Sequence, residues 1–511
     1  MATLAVPSTT RVADVRSFVG QLDRRLETLD RAILIAEWDL NCGRSRIGSA
    51  PWQIRRSRLL GDERILTWVR RALERNVPRL LHRRLELLER ILLDAQVEQS
   101  EEVVRLRTGL QRKVVAFRPR WEGRRVNRIV LRHVLRTDPD PRRREAAYRG
   151  LEELHRPLEA GLRRLIIARN EGARVQGYRS YAAMRLGFEG FTVGRVEELA
   201  ADATEGAPRF ARELAGSLGP GQPQDGWHPW DLQYAQERSL RLPDDAFPQR
   251  PMMGRVLETV RKWGFPTGRM RFRVVFHDLP SGGLTLAPDP PRDVRILVHP
   301  QGGWEAYMVM LHEVGHAVHS ASIRAPRHLL RWHENIPGFG GFHEGIGELF
   351  ASVAHRTAWL STFPAIERSL AESFEARSRS AEVLAVASCV AWLSVEQALY
   401  RRPEGDPMEV ARRLERKLFG YADYDPLSFV DSFFIELPLY APNYLFAALV
   451  QHQLARALVE RFGTPFWPNP KIGPWLSREC FAPGSVFDWV PRLRELTGRP
   501  FGARDFRAGE V

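Results

Sequence analysis

The sequence predicts a mainly α-helical fold in two lobes, with one small β element just before its most reactive stretch. Three observations carry this prediction. Apolar residues recur at helical spacing through most of the chain. Only the region around 271–300 switches to β-rich runs. A length of 511 residues also exceeds what one ordinary core is expected to hold.

In chain order, helical periodicity covers 13–38, 79–115, 141–175, 193–217 and 251–264, then 304–320, 343–360, 365–399, 407–418 and 442–461. The Gly- and Pro-rich "GPGQPQDGWHPWDL" (219–232) reads as a surface linker. "RFRVVFHDL" (271–279) and "VRILVHP" (294–300) read as strands, with the turn-rich "PSGGLTLAPDPPRD" between them. A hairpin or small sheet is expected there, with an edge able to take an extended peptide as a further strand. The resulting division is an N-terminal helical lobe, 1–265, and a catalytic lobe, 266–511, forming one catalytic unit.

The net charge of +14 is carried almost wholly by arginine, since Lys113, Lys262, Lys417 and Lys471 are the only lysines. The arginines are dispersed and alternate with leucines, as in "RLLHRRLELLERILLDAQ", the pattern of solvated faces on amphipathic helices. No aromatic-plus-basic signature accompanies them, so a nucleic-acid partner is not expected. Cys42, Cys389 and Cys480 form neither a CxxC motif nor a disulfide framework, which fits a reducing compartment. The N-terminus lacks an apolar core of signal-peptide length, and no run of about 18 apolar residues appears. The expectation is a cytoplasmic protein with no membrane partner.

Chemistry concentrates in "LHEVGHAVHS" (311–320). His312 and His316 stand four apart in a helical pattern, so both imidazoles can reach one ion, and Glu313 then lies beside it, where a general base for water belongs. Six of the 14 histidines (His312, His316, His319, His328, His333 and His343) fall within 32 residues, which favours one bound zinc over scattered core histidines. Catalytic zinc usually takes three protein ligands. The spacing that would supply a third histidine fails, because His319 and Ser322 occupy the glycine and histidine positions of that pattern. The remaining candidates are Glu344 and Glu348 in "GFHEGIGELFASVA" and Glu334 in "RWHENIPGFGG". Glu344 is favoured, because a ligand on a helix is better fixed than one in a loop. Glu348, one turn on, then suits a hydrogen bond to the outer nitrogen of a ligand histidine. His319, His333 and His343 read as structural.

These blocks resemble two related families of glutamate-zinc peptidases, the angiotensin-converting-enzyme family and the thimet oligopeptidase and oligoendopeptidase F family. "GFHEGIGE" is similar to the converting-enzyme block carrying the third ligand, with Glu348 where that family has aspartate. "DVRILVHPQGGWEAYMVMLHEVGH" (293–316) aligns without a gap to the segment entering that family's zinc helix, and "GHAVH" is typical of the oligopeptidases. "RNEGARVQGYRSYAAMRL" (169–186) is similar to a helix of both families, and "YLFAALVQHQL" (444–454) to the converting-enzyme helix that opens with a catalytic tyrosine. The likeness spans about 140–460; the first 130 residues match only in helical character.

The resemblance implies a zinc-dependent peptidase acting on oligopeptides in a deep channel between two lobes. His312, His316 and Glu344 would be the ligands and Glu313 the base. Tyr444, with Tyr440 as second choice, would donate a hydrogen bond to the oxyanion. Three departures bear on substrate. Four extra residues lie between His316 and Glu344, Phe434 stands where the converting enzyme has a substrate-binding histidine, and Ser432 stands where it has the lysine that grips a C-terminal carboxylate. Internal cleavage of short peptides is therefore expected over dipeptide release from a C-terminus.

Overall fold

The computed structural model describes residues 4–218, 227–270, 272–279, 282–332, 336–422, 433–464 and 467–509. Glu334, His333 and Ser432 lie outside the described residues. The fold is mainly α-helical with small sheets, as the periodicity predicts. Val12–Asn41 (α1) buries Val15, Phe18, Val19, Leu22 and Leu26, the i, i+3, i+4 recurrence of a one-faced helix.

Predicted helices that ran too long break for local reasons. The stretch 79–115 is two helices, Arg79–Glu98 (α2) and Glu101–Ala116 (α3), because Ser100 turns extended and its hydroxyl donates back to the Val97 carbonyl at 2.9 Å. The stretch 141–175 is Pro141–Glu152 and then His155–Val175 (α4). Pro157, in the first turn of α4, has no N–H to offer a preceding carbonyl, so one continuous ladder cannot form. Likewise 193–217 divides into Val193–Ala203 and Ala207–Gly216, with Pro208 opening the second. Ala50–Leu60, Glu63–Leu73, Arg128–Thr137, Tyr181–Phe188 and Pro229–Ser239 are helices the periodicity did not single out, and the last takes up part of the presumed linker.

The β region is the expected small sheet, with three strands. Phe272–Phe276 (β1) runs parallel to Asp293–Val298 (β3), and Gly283–Asp289 (β2) pairs antiparallel with β3 on its other side. The segment read as turns thus carries an edge strand, because Leu284, Thr285 and Leu286 find partners in the buried β3 despite the flanking glycines and prolines. Leu34 and Trp38 of α1 pack on Leu286 and Leu297, and the Arg295 guanidinium lies 5.6 Å above the Trp38 ring. The N-terminal helix therefore backs the sheet beside the site.

Trp304–Ser322 (α5) carries the reactive stretch and packs on Gly340–Ala351 (α6); behind them Arg368–Arg401 (α7) packs on Ala441–Phe462 (α8), which in turn packs on α6. One cluster of buried apolar side chains draws on residues from Leu4 to Phe506. By length and composition α7 is apolar enough to cross a membrane, but most of its apolar stretch is buried inside the protein. The three cysteines are free. The arginines are less uniformly solvated than their pattern suggested. Arg84, Arg144 and Arg169 are buried and bound to Asp23, Asp231 and Glu98, because a guanidinium leaves water only where carboxylates and carbonyls satisfy its donors.

One such arginine sets the approach to α8. Arg169, fully buried on α4, donates to Glu98 Oε1 at 2.7 Å and to the carbonyls of Phe434 and Ile435 at 2.8 and 2.9 Å. Glu396 on α7 accepts the Leu439 N–H at 2.7 Å, at a residue with φ of +56°, and its other oxygen has no partner among the described residues. Burial pushes the Glu396 carboxyl up to about 8. The folded protein therefore holds a proton there that the unfolded chain releases near its ordinary value of 4.5. Between those values the folded state binds more protons, so stability falls as pH rises and levels off above about 8. Glu396→Gln, which keeps the acceptor, is expected to flatten this slope in denaturant melts from pH 5 to 9, and an unchanged slope would place it on other groups.

Candidate metal centre

The site begins with α5. Tyr307, Met310, Leu311, Val314, Ala317 and Val318 bury one side of the helix, which leaves the His312 and His316 rings together on another. Their planes are nearly perpendicular, and their Nε2 atoms are 2.9 Å apart. Helix α6 crosses close by because residue 347 is glycine: a Cβ there would lie 2.6 Å from His312 Cε1. That approach brings Glu344 Oε2 to 3.4 Å from His312 Nε2 and 3.9 Å from His316 Nε2.

Among the described residues, His312, His316 and Glu344 are the group whose ligand atoms converge, all within 4.8 Å of one another. The circle through the three closest atoms has a radius of about 2.0 Å, the length of a zinc–nitrogen bond. The donor set therefore fits one small divalent cation. Electrostatics set the charge on each ligand. Burial pulls His312 down, but its hydrogen bonds to Glu344 and Glu348 outweigh that and raise it well above its ordinary value, so an ion entering there displaces its proton. Burial pulls the Glu344 carboxyl up, but hydrogen bonding and charge from His312 and His316, with the Tyr440 hydroxyl, outweigh it and hold the group at about 2. Burial and then the charge of His312 push His316 down to about 3, leaving the neutral imidazole a metal needs. His316 Nδ1 is buried with no partner among the described residues.

The neighbouring carboxylates separate by position. Glu348 Oε1 lies 3.4 Å from His312 Nδ1, on the opposite side of the ring from Glu344. Glu313 is buried, and its Oε2 accepts the Thr285 hydroxyl at 2.6 Å. It lies against β2 at Gly283, where a Cβ would come within 2.5 Å of Glu313 Cγ. Burial raises the Glu313 carboxyl above its ordinary value, which makes the carboxylate a better proton acceptor.

The two tyrosines also divide. The Tyr440 hydroxyl donates to Glu344 Oε1 at 2.7 Å, so it is committed to the carboxylate. The centre of the Tyr444 ring stands 5.6 Å from that of the Tyr440 ring, and the Tyr444 hydroxyl has no hydrogen-bond partner among the described residues. Burial, then the nearby charge of Glu344, raises its pKa, so the phenol keeps its proton. Both tyrosines line a cavity of about 370 Å³ with His312, Glu313, His316, Glu344 and residues 283–285 of β2.

A solved structure shares this architecture. The chain is similar to the crystal structure of an M32 carboxypeptidase from Deinococcus radiodurans R1, with a TM-score of 0.67 and 15% identity over 95% of this chain and 96% of that one. The likeness is one of fold. No protein-family model matches the chain. No curated protein matches it either.

Within this fold, several residues reach the cavity that the sequence did not single out. Leu34 arrives from α1, and Thr285 comes from the strand hidden in a turn-rich stretch. Trp332 joins them. Its ring stacks 3.5 Å from that of His343, which in turn stacks 3.9 Å from His316. His319 Nδ1 meets His343 Nδ1 at 3.1 Å, and burial pushes both histidines down, His319 to about 3. His328 is drawn away to Asp30 of α1, at 2.8 Å. Clustered histidines thus serve two ends, a convergent trio and an aromatic stack behind it.

Proposed function

We propose that the protein is a zinc-dependent metallopeptidase that hydrolyses oligopeptides, with His312, His316 and Glu344 holding one zinc ion per chain and Glu313 as general base. The observation that supports this most is the convergence of the three ligand atoms beside a buried, basic carboxylate on an open cavity. Zinc supplies Lewis acidity there, beside which the pKa of water falls from 15.7 toward about 7.

The chain's own side chains supply the rest. Glu313 takes a proton from the attacking water and passes it to the leaving nitrogen. Tyr444 donates its hydroxyl hydrogen to the oxyanion that develops on the scissile carbonyl. Tyr440 fixes the outer oxygen of Glu344, and Glu348 orients His312 through Nδ1. The edge of β2 offers main-chain groups to an extended peptide. The lobe boundary near residue 265 belongs to the same reading, with Leu34 reaching the cavity from the first lobe.

Tyr444→Phe is expected to lower kcat by about 10²–10³ with metal content unchanged, whereas Tyr440→Phe weakens zinc binding about 10–100-fold through Glu344. Steady-state kinetics beside metal analysis separate the two, and an unchanged rate for Tyr444→Phe returns that residue to packing.

Cleavage of a peptide mixture, mapped by mass spectrometry with and without a chelator, tests the whole reading. Internal cuts abolished by chelator are expected, because Phe434 is buried with its carbonyl held by Arg169 and cannot replace a substrate-binding histidine. A second reading, shortening from the C-terminus, is favoured by the carboxypeptidase that shares the fold, and would leave ladders of truncated peptides. No cleavage in either sample would leave a binding protein of this fold.

A further inference from the structure

A second cavity, of about 580 Å³, lies on the far side of Glu348, which lines this cavity and not the first. Six charged side chains line it: Glu348, Glu375, Glu382, Arg356, Arg379 and Arg456. Four neutralise one another, with Arg356 on Glu375 at 3.2 Å and Arg379 on Glu382 at 2.8 Å. The remaining two, Glu348 and Arg456, have opposite charge and do not pair with each other. Glu348 meets His312 Nδ1 at 3.4 Å and no arginine or lysine among the described residues. Arg456 makes no ion pair or hydrogen bond among the described residues; its charge reaches Glu460, one turn further on α8, but that carboxylate is bound by Arg499 at 2.6 Å.

Helices α6 and α8 run side by side in the same direction, with Gly341 against Phe446 and Gly345 against Val450. From that register, Arg456 is rooted about three residues beyond the level of Glu348, some ~4.5 Å farther along the shared axis. One wall thus offers a carboxylate held only through the outer nitrogen of His312 among the described residues, and the other a guanidinium in no ion pair there, across a space that suits a small molecule.

We propose that this second cavity binds a small zwitterion, a free amino acid or dipeptide, with its ammonium on Glu348 and its carboxylate on Arg456. The peptidase reading enters only for the ligand's origin, since repeated hydrolysis shortens oligopeptides toward such molecules. Binding there has a consequence for the metal centre. An ammonium on Glu348 competes with His312 for that carboxylate, so the zwitterion loosens the zinc site, and by linkage zinc weakens the zwitterion.

Calorimetry on the full-length, zinc-loaded Glu313→Gln protein tests this with the dipeptide Gly-Gly as probe. Gly-Gly is expected to bind, and N-acetyl-Gly-Gly and Gly-Gly amide, each lacking one charge, to bind at least tenfold more weakly. Arg456→Gln, on the wild-type background, should turn over peptide at the parent rate, and combined with Glu313→Gln it should weaken Gly-Gly at least tenfold. Gly-Gly should also speed zinc loss to excess chelator severalfold in the parent and not in the Arg456 variant. Gly-Gly binding that survives Arg456→Gln, or tolerates either blocked end, overturns the proposal. A protein that binds Gly-Gly through Arg456 yet cleaves nothing would sink the peptidase reading and leave the site standing, whereas an active peptidase indifferent to Gly-Gly would do the reverse.

Discussion

Glu313→Gln is expected to keep one zinc per chain and to lose hydrolysis by about 10²–10⁴-fold. The substitution is chosen because the pocket around the carboxylate is so closely shaped. Gly283 of β2 leaves room for this side chain and little more, and Thr285 donates to Oε2 at 2.6 Å. A glutamine fills the same volume and still offers an oxygen to the Thr285 hydroxyl, so folding and the two histidines are undisturbed. What it cannot do is accept a proton. Turnover and metal content measured on one preparation separate the outcomes: retained hydrolysis would remove Glu313 as the base, and loss of zinc would make it a ligand.

How much of this site is legible before folding depends on how local each cause is. His312 and His316 meet because four residues of helix put them one above the other, a consequence of backbone geometry that any reading of the sequence reaches. Glu344 is harder. No spacing rule links residues 316 and 344. The preference for a ligand on a helix separates Glu344 from Glu334 but not from Glu348, and those two differ only in which nitrogen of His312 each faces. The roles of Tyr440 and Tyr444 separate only in three dimensions, since both stand near the start of α8 and only one hydroxyl reaches Glu344.

Thr285 was hidden for a physical reason. Its strand contains Gly283 and Pro288 and is bordered by Gly282, Pro290 and Pro291, which read as turn, yet the glycine at 283 is where Glu313 needs the space and the pairing comes from β3. Strand identity there is tertiary, conferred by neighbours, and local propensity is a poor guide to it. Leu34 lies further still from any local signal, nearly 280 residues before the histidines it faces across the cavity. Helix breaks at Ser100 and Pro157 were available in principle, because a hydroxyl bonding backward and a missing N–H are local causes, but apolar periodicity continued across both and masked them.

Glu344→Ala should cost zinc far more than Glu348→Ala does, and this contrast is the sharpest available probe of the centre. Removing Glu344 deletes one of three donors, the one that carries charge, and frees the Tyr440 hydroxyl, leaving two neutral imidazoles whose nitrogens are 2.9 Å apart. Removing Glu348 deletes only a contact to the outer nitrogen of His312, a loss of the kind that typically costs about 10–100-fold in metal affinity. The Glu344 variant is therefore expected to weaken zinc by more than that range and to lose activity that added zinc does not restore, while the Glu348 variant regains activity as zinc is raised. Glu344→Asp shortens the reach and should fall between them. Competition titrations against a chelator of known affinity rank all three. If Glu348→Ala proves the more damaging, the ion sits on the Nδ1 side of His312, and the assignment of the two carboxylates must be exchanged.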